Sequence, residues 1–192
     1  MIRLMVFLGN KGIEYERTRH NSAWLFFHHI SPELGPISWQ EKFHGTWGKA
    51  SFASQQMMVL KPSTYMNESG KSVGAMSRFF SLDPKQILVV HDDLELPFLV
   101  TRLQLGGGLG GHNGLRSIKE HVGSTDFYRL RIGIGRPVRQ TVSSYVLSRF
   151  SVEEEPSLSL AFDAAKRLLG DWMGEGCPDR SLPRSITVGQ NR

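Results

Sequence analysis

Residues 2–30 read IRLMVFLGNKGIEYERTRHNSAWLFFHHI, and the order of their parts decides the fold class. Ile2 to Leu8 is an apolar run of strand length, the pattern of a strand buried on both faces. Gly9 and Gly12 follow. Glycine accepts positive φ at little steric cost, so the chain is expected to leave the strand sharply. Asn10 stands at that exit with an amide that both donates and accepts. Ala23 to Ile30 is apolar again and suits a helix. His20, with Asn21 beside it, therefore sits where a loop enters a helix, close in sequence to a strand end. In open α/β sheets, ligand sites gather beside the carboxyl ends of strands. One histidine in such a place is more often a capping or surface group, so its reading depends on what the rest of the chain brings.

Downstream, the same alternation continues. Pro32 to Phe43 has turn formers and no pattern, and reads as a loop. Gly48–Phe52 and Gln56–Leu60 read as paired strands around a polar turn at Ala53–Gln55. Ser63 to Ser81 opens as STYMNESG and continues as a helix, with Val73, Met76 and Phe80 on one face. Asn67 lies at its start, where backbone N–H groups are free; taken alone it suits a cap. Asp83-Pro84 ends this helix. Ile87 to Val90 is a short apolar strand that runs into His91-Asp92-Asp93. Leu103 to Leu105 leads into GGGLGGHNG (106–114), too glycine-rich for a helix or strand interior, and then a helix from about Asn113 to Val122. FYRLRIGIG (127–135) alternates as a strand with Arg129 and Arg131 on one face. Ser144 to Leu147 suits a short strand or turn. Glu153 to Met173 is a helix, with Leu158, Phe162, Ala165, Leu169 and Trp172 at helical spacing. From Gly174 the periodicity stops. The expected organisation is one α/β domain over residues 1–176, with residues 177–192 a loosely ordered tail.

Composition narrows the class. The 192 residues are 40% hydrophobic and 21% charged, ordinary for a globular domain with a real core. No apolar run is long enough to span a bilayer, and the N-terminal run is too short for a confident signal peptide. One cysteine, Cys177, leaves no intramolecular disulfide and no cysteine cluster for a metal, which fits a reducing cytoplasm. Net charge is +5. Residues 101–140 carry Arg102, Arg116, Lys119, Arg129, Arg131, Arg136 and Arg139 against Glu120 and Asp126, a surplus as large as the whole chain's. Such a surplus favours a phosphate-bearing partner, although charge alone equally describes a solvated basic face.

The chemistry-bearing residues are Asn10, His20, Asn67, Asp92 and Asn113, each at an element end. A histidine with a carboxylate partner suits general-base work, because the carboxylate fixes the tautomer and stabilises the imidazolium. Asparagine amides hold water or donate to a developing oxyanion. The glycine run matches neither the dinucleotide fingerprint nor a P-loop. No serine or cysteine stands in a G-x-S-x-G elbow, so water is the simpler nucleophile. A metal at His91-Asp92-Asp93 is disfavoured, since zinc sites need a larger ligand set. Together these features point to hydrolysis of an ester or amide on a polyanionic substrate.

The motifs LGNKGIEYERTRHN (8–21), KPSTYMNESGKSV (61–73), VVHDDLELP (89–97), GGGLGGHNGLRSI (106–118) and FYRLRIGIGRP (127–137) occur in an order and spacing that resembles bacterial-type peptidyl-tRNA hydrolase over almost the whole chain. The resemblance implies a single α/β domain: a twisted mixed β-sheet flanked by helices, of the phosphorylase/hydrolase-like kind. It implies a cytoplasmic, monomeric carboxylic ester hydrolase that needs no metal or cofactor. Such an enzyme cleaves the ester between a peptide and the tRNA 3′ end, gripping the acceptor stem and CCA end and recycling tRNA from stalled translation. Carried over by motif, His20 is the general base and Asp92 its supporting carboxylate. Asn10 distinguishes a blocked from a free amine. Asn67 and Asn113 bind substrate and position water, and Tyr15 and Tyr65 are substrate contacts. Arg102, Arg129, Arg131 and Arg136 are candidates for the phosphate grip. The chain departs from the pattern at Lys11, Ala23, His28, Phe98-Leu99 and Gln104, none of them a catalytic group. Two other readings are a noncatalytic RNA-binding relative and an esterase of small substrates.

Overall fold

A computed structural model describes residues 1–179 and 182–188. The expected opening is present: β1 (Leu4–Phe7), then two 3₁₀ turns (Ile13–Tyr15 and Arg19–Asn21), then α1 (Ser22–Ile30). β2 (Gln40–Lys42), β3 (Gly45–Phe52) and β4 (Gln55–Pro62) follow, then α2 (Ser69–Phe79), β5 (Ile87–Asp93), β6 (Val100–Leu105), α3 (Asn113–Val122), β7 (Tyr128–Gly133), α4 (Val142–Val146), α5 (Glu155–Gly174) and β8 (Arg184–Thr187). The strands form one mixed sheet in the order β2-β3-β4-β1-β5-β7-β6-β8. β4, β1, β5 and β7 run parallel, and β2–β3 and β6–β8 extend the sheet antiparallel on either side.

β1 and β5 are buried along their whole length, which is why Ile2–Leu8 and Ile87–Val90 read as apolar runs. Alternate side chains of β1 serve two cores. Met5 and Phe7 pack with Phe26 of α1 and with Phe162 and Trp172 of α5. Leu4 and Val6 face Val73 and Met76 of α2 and Leu115 and Ile118 of α3. The period of two in a strand makes this division automatic. The four parallel strands thus end along one edge of the sheet. Asn10 follows β1, Met66 and Asn67 follow β4, and Asp92 lies at the end of β5.

Several expectations are corrected. Gly12 has φ +115°, as a sharp exit requires, but Gly9 is there for space: a Cβ on it would lie 2.6 Å from the Trp24 ring. The expected loop 32–43 contains β2, a wholly exposed edge strand of Gln-Glu-Lys that pairing with β3 holds rather than burial. Residues 144–147 are not a strand. They belong to α4 and its end, begun by the Thr141 hydroxyl, which accepts the Ser144 N–H at 3.2 Å, and held by burial of Tyr145 and Val146. The expected loose tail is tied down over its described part. Cys177 is buried, the Tyr128 hydroxyl donates to Asp179, and β8 pairs with β6. No helix among the described residues is long and apolar enough to cross a membrane.

Candidate active site

A cavity of about 620 Å³ opens at the carboxyl edge of the parallel strands. Asn10, His20, Asn67, Asp92 and Asn113, scattered over a hundred positions of sequence, all line it, together with Met66, His112 and Arg136. Its outer wall is apolar, built from Leu94, Leu109, Val142, Val146 and Leu147. Tyr15 and Tyr65 are not among the lining residues. Tyr65 lies just outside, half exposed, with the Lys11 ammonium 5.3 Å from its ring centroid.

Asp92 organises the centre. Its carboxylate is buried and takes His20 Nδ1 at 2.8 and 2.9 Å, and His112 Nε2 at 3.0 Å. The tautomers follow from the partners. His112 caps α3, and its Nδ1 accepts the N–H groups of Gly114 (3.1 Å) and Leu115 (3.3 Å), so the proton is on Nε2 and is donated to Asp92. His20 donates from Nδ1, which leaves Nε2 as the lone-pair nitrogen, with no protein partner among the described residues. Burial pushes the Asp92 carboxyl up, but the two imidazoles outweigh it and hold it below the usual carboxylate range. Burial likewise pushes His20 down, and the Asp92 charge and hydrogen bond reverse this, so the imidazole is raised above its ordinary value. The His20 and His112 rings lie 5.0 Å apart between centroids.

His91 stands behind this pair. It is buried, donates from Nδ1 to the Asp92 carbonyl oxygen at 2.6 Å, and has an Nε2 without a partner. Burial and the neighbouring His112 push it down to about 3, so it is a neutral structural group.

Asn10 is fixed on three sides. Its N–H donates to Asn21 Oδ1 (2.8 Å), its carbonyl accepts from Asn21 Nδ2 (3.0 Å), and its Oδ1 accepts the Met66 N–H (2.7 Å). The Met66 contact fixes which way the amide faces and takes one of its oxygen's two lone pairs, and Nδ2 has no protein partner among the described residues. Asn67 and Asn113 make no side-chain hydrogen bond within the described residues. The caps that sequence allowed for Asn67 fall elsewhere, on Tyr65 and Glu68.

The ligand atoms of His20, Asp92 and His112 lie within 4.8 Å of one another, close enough for a metal ion. The donor chemistry argues against one. A metal on His112 Nε2 requires its proton to move to Nδ1, which already accepts two backbone N–H groups.

The arginines divide. Arg129 is buried and donates to the carbonyls of Gly106 and, at 2.8 Å, Gly108, so it holds the glycine loop and does not face a phosphate. Arg131 is paired with Asp93 (2.7 Å) and Gln104 (2.5 Å). Arg102 donates to Ser185 at 2.9 Å. Arg136 is exposed at the cavity mouth beside Glu95, and Arg116, Lys119 and Arg139 are exposed. Sequence reasoning quoted His112 without a role and passed over Met66. The signal for His112 was its place between a glycine run and a helix start.

A family model described as peptidyl-tRNA hydrolase matches residues 4–185. A peptidyl-tRNA hydrolase of Treponema pallidum (strain Nichols) is 51% identical over 179 residues, 88% of this chain and 85% of that protein. One of Geobacter metallireducens is 40% identical over 190 residues, 99% of this chain and 95% of that protein. Among solved structures, peptidyl-tRNA hydrolase from Acinetobacter baumannii aligns with a TM-score of 0.83 at 40% identity, covering 91% of this chain and 89% of that one. The match runs through every motif that lines the cavity, and the chain belongs to the peptidyl-tRNA hydrolase family.

Proposed function

We propose that the chain's peptidyl-tRNA hydrolase activity is general-base hydrolysis of the ester between peptide and tRNA 3′ end, with water as nucleophile and His20 as base. The observation that carries this reading is the His20 ring, pinned through Nδ1 to a buried carboxylate with Nε2 left to the cavity. Nε2 takes a proton from water as the oxygen attacks the ester carbonyl, and Asp92 stabilises the imidazolium that forms. Asn113 and Asn67 supply amide donors to the oxyanion and the water. The imidazolium then returns the proton to the departing ribose oxygen.

Asn10 gives the discrimination a physical basis. Its Nδ2 donors bond the carbonyl of an N-acylated residue, an acceptor that a free α-ammonium lacks. Tyr15 and Tyr65 are substrate contacts beyond the cavity rather than within it. Arg136, Arg116 and Lys119 take over the phosphate grip from the buried Arg129. The Arg136–Glu95 pair is exposed and of little stability value, so a phosphate exchanges for the carboxylate readily. The site of action is the cytoplasm, where tRNA works.

The test uses N-acetyl-aminoacyl-tRNA and its unblocked counterpart. Wild-type protein is expected to cleave the first and spare the second, with KM rising steeply with salt. His20→Gln is expected to lower kcat on the order of 10²–10⁴-fold with the fold retained. Near-wild-type turnover in that variant removes His20 as the base. RNA binding by the wild type without ester cleavage would instead mark a noncatalytic relative.

A further inference from the structure

Arg19 precedes the base in sequence and faces the other way. Its side chain is only 7% exposed, a burial that arginine adopts when paired. Nη1 donates to Glu154 Oε1 at 3.0 Å and Nη2 to Oε2 at 2.6 Å, a forked contact. The guanidinium carbon lies 4.4 Å from the Tyr145 ring centroid and 4.8 Å from that of Phe150. The backbone takes part as well: Arg19 N–H donates to the Ser148 carbonyl at 2.9 Å, and Thr18 bridges to Arg149. The acceptor is itself fixed, since Glu154 Oε2 also accepts the Ser151 N–H at 2.7 Å. Tyr145 is anchored at its far end by a 2.5 Å bond to the Ile134 carbonyl, just beyond β7.

All these partners of Arg19 lie between residues 145 and 154. The same stretch continues from α4, and Val142, Ser143, Val146 and Leu147 form the cavity's outer wall. His20, by contrast, rides on a single 3₁₀ turn with no side-chain cap, too short to be stable by itself. Asp92 fixes its ring and Tyr145 ties the wall to the end of β7, while Arg19 joins the turn itself to the wall by a forked ion pair.

We propose that Arg19 is a positioning residue for the reaction. It joins the turn that bears His20 to the wall of α4, so that base and wall keep one spacing across the bound ester. Displacement of about 1 Å at a reacting group costs up to roughly 10²-fold in rate. Lysine in its place keeps the charge but loses the fork and the flat stacking surface. The proposal rests on His20 being the base.

Arg19→Lys, Glu154→Gln and His20→Gln are compared with wild type for kcat, KM, the pH dependence of kcat, and Tm, on N-acetyl-aminoacyl-tRNA. In Arg19→Lys and Glu154→Gln, kcat is expected to fall roughly tenfold or more with KM within about twofold. The acid limb of kcat is expected to move down toward the ordinary imidazole value, because a slackened contact with Asp92 raises His20 less. A merely structural Arg19 would lower Tm and leave kcat and the limb where they were, and that result overturns the proposal. If Arg19→Lys does not fold, Glu154→Gln decides by the same readouts. Turnover persisting in His20→Gln would overturn the base assignment, and this proposal with it, in a variant that leaves the Arg19 contacts untouched.

Discussion

One carboxylate decides what its neighbours do. Asp92 accepts from two imidazoles, and only one of them, His20, has its other nitrogen toward the substrate space; the other nitrogen of His112 is spent on the start of α3. Asp92→Asn removes the charge that, together with its hydrogen bond, outweighs burial at His20, so the imidazole drops below its ordinary value and the acid limb of kcat moves to lower pH. At the same time the tautomer is no longer enforced, and maximal kcat is expected to fall on the order of 10²–10⁴-fold. A pH–rate profile checks both; a limb that stays in place would show that Asp92 does not set it. His20, Asp92 and the three asparagines were legible because each is a polar residue where an apolar pattern stops. For His112 only its place before a helix start was legible, because its bond to Asp92 depends on a distance to a residue twenty positions away. Arg129 misled for the opposite reason: counted as charge it belongs to a basic face, and only the fold shows its guanidinium turned inward on the glycine loop.

α2 and α3 cross close together beneath the cavity, and the small residues at the crossing are what let Asn67 and Asn113, at their starts, reach the same space. A Cβ on Gly70 would lie 2.0 Å from the Ser117 carbonyl oxygen, and the Gly70 N–H donates to Ser117 Oγ at 3.0 Å. Gly70→Ala is therefore expected to destabilise by about 1–3 kcal/mol, since the helices must part, despite alanine's better helix propensity. Chemical denaturation measures it, and a stabilised variant would contradict the close crossing. Elements with a pattern of their own were readable: β1 and β5 as apolar runs, and α5 from apolar residues at helical spacing. The short ones were not. β2 is three polar residues paired by their backbone, α4 is five residues held by a capping threonine and two buried side chains, and β8 is four residues at an edge. None of these has enough residues to show a period, and their stability comes from neighbours distant in sequence.

Taken whole, the protein buries ionisable groups whose pH effects oppose one another. His91 is pushed down to about 3, so below its ordinary value of about 6.5 the unfolded chain takes up a proton that the folded chain refuses. Its contribution is full above that pH and is lost as pH falls toward about 3, at a slope approaching 1.4 kcal/mol per pH unit. Asp92 acts with the same sign, its contribution lost as pH falls below the ordinary carboxylate range. His20 acts oppositely, because its folded value is raised. Its contribution is complete below about 6.5 and disappears as pH rises through the folded value. His91→Gln is expected to flatten the loss of stability between pH 7 and 5, measured by urea unfolding at each pH; an unchanged slope would mean that His91 does not drive it. The far side of the sheet carries a different consequence. β8 covers the hydrogen-bonding edge of β6, while Leu182 and Ile186 rest on the core, and none of these residues lines the cavity. A chain cut after residue 179 would bare that strand's free amides and carbonyls, an invitation to stick to its own kind. Such a truncation should elute from a sizing column as larger species while each correctly folded copy still cuts its ester.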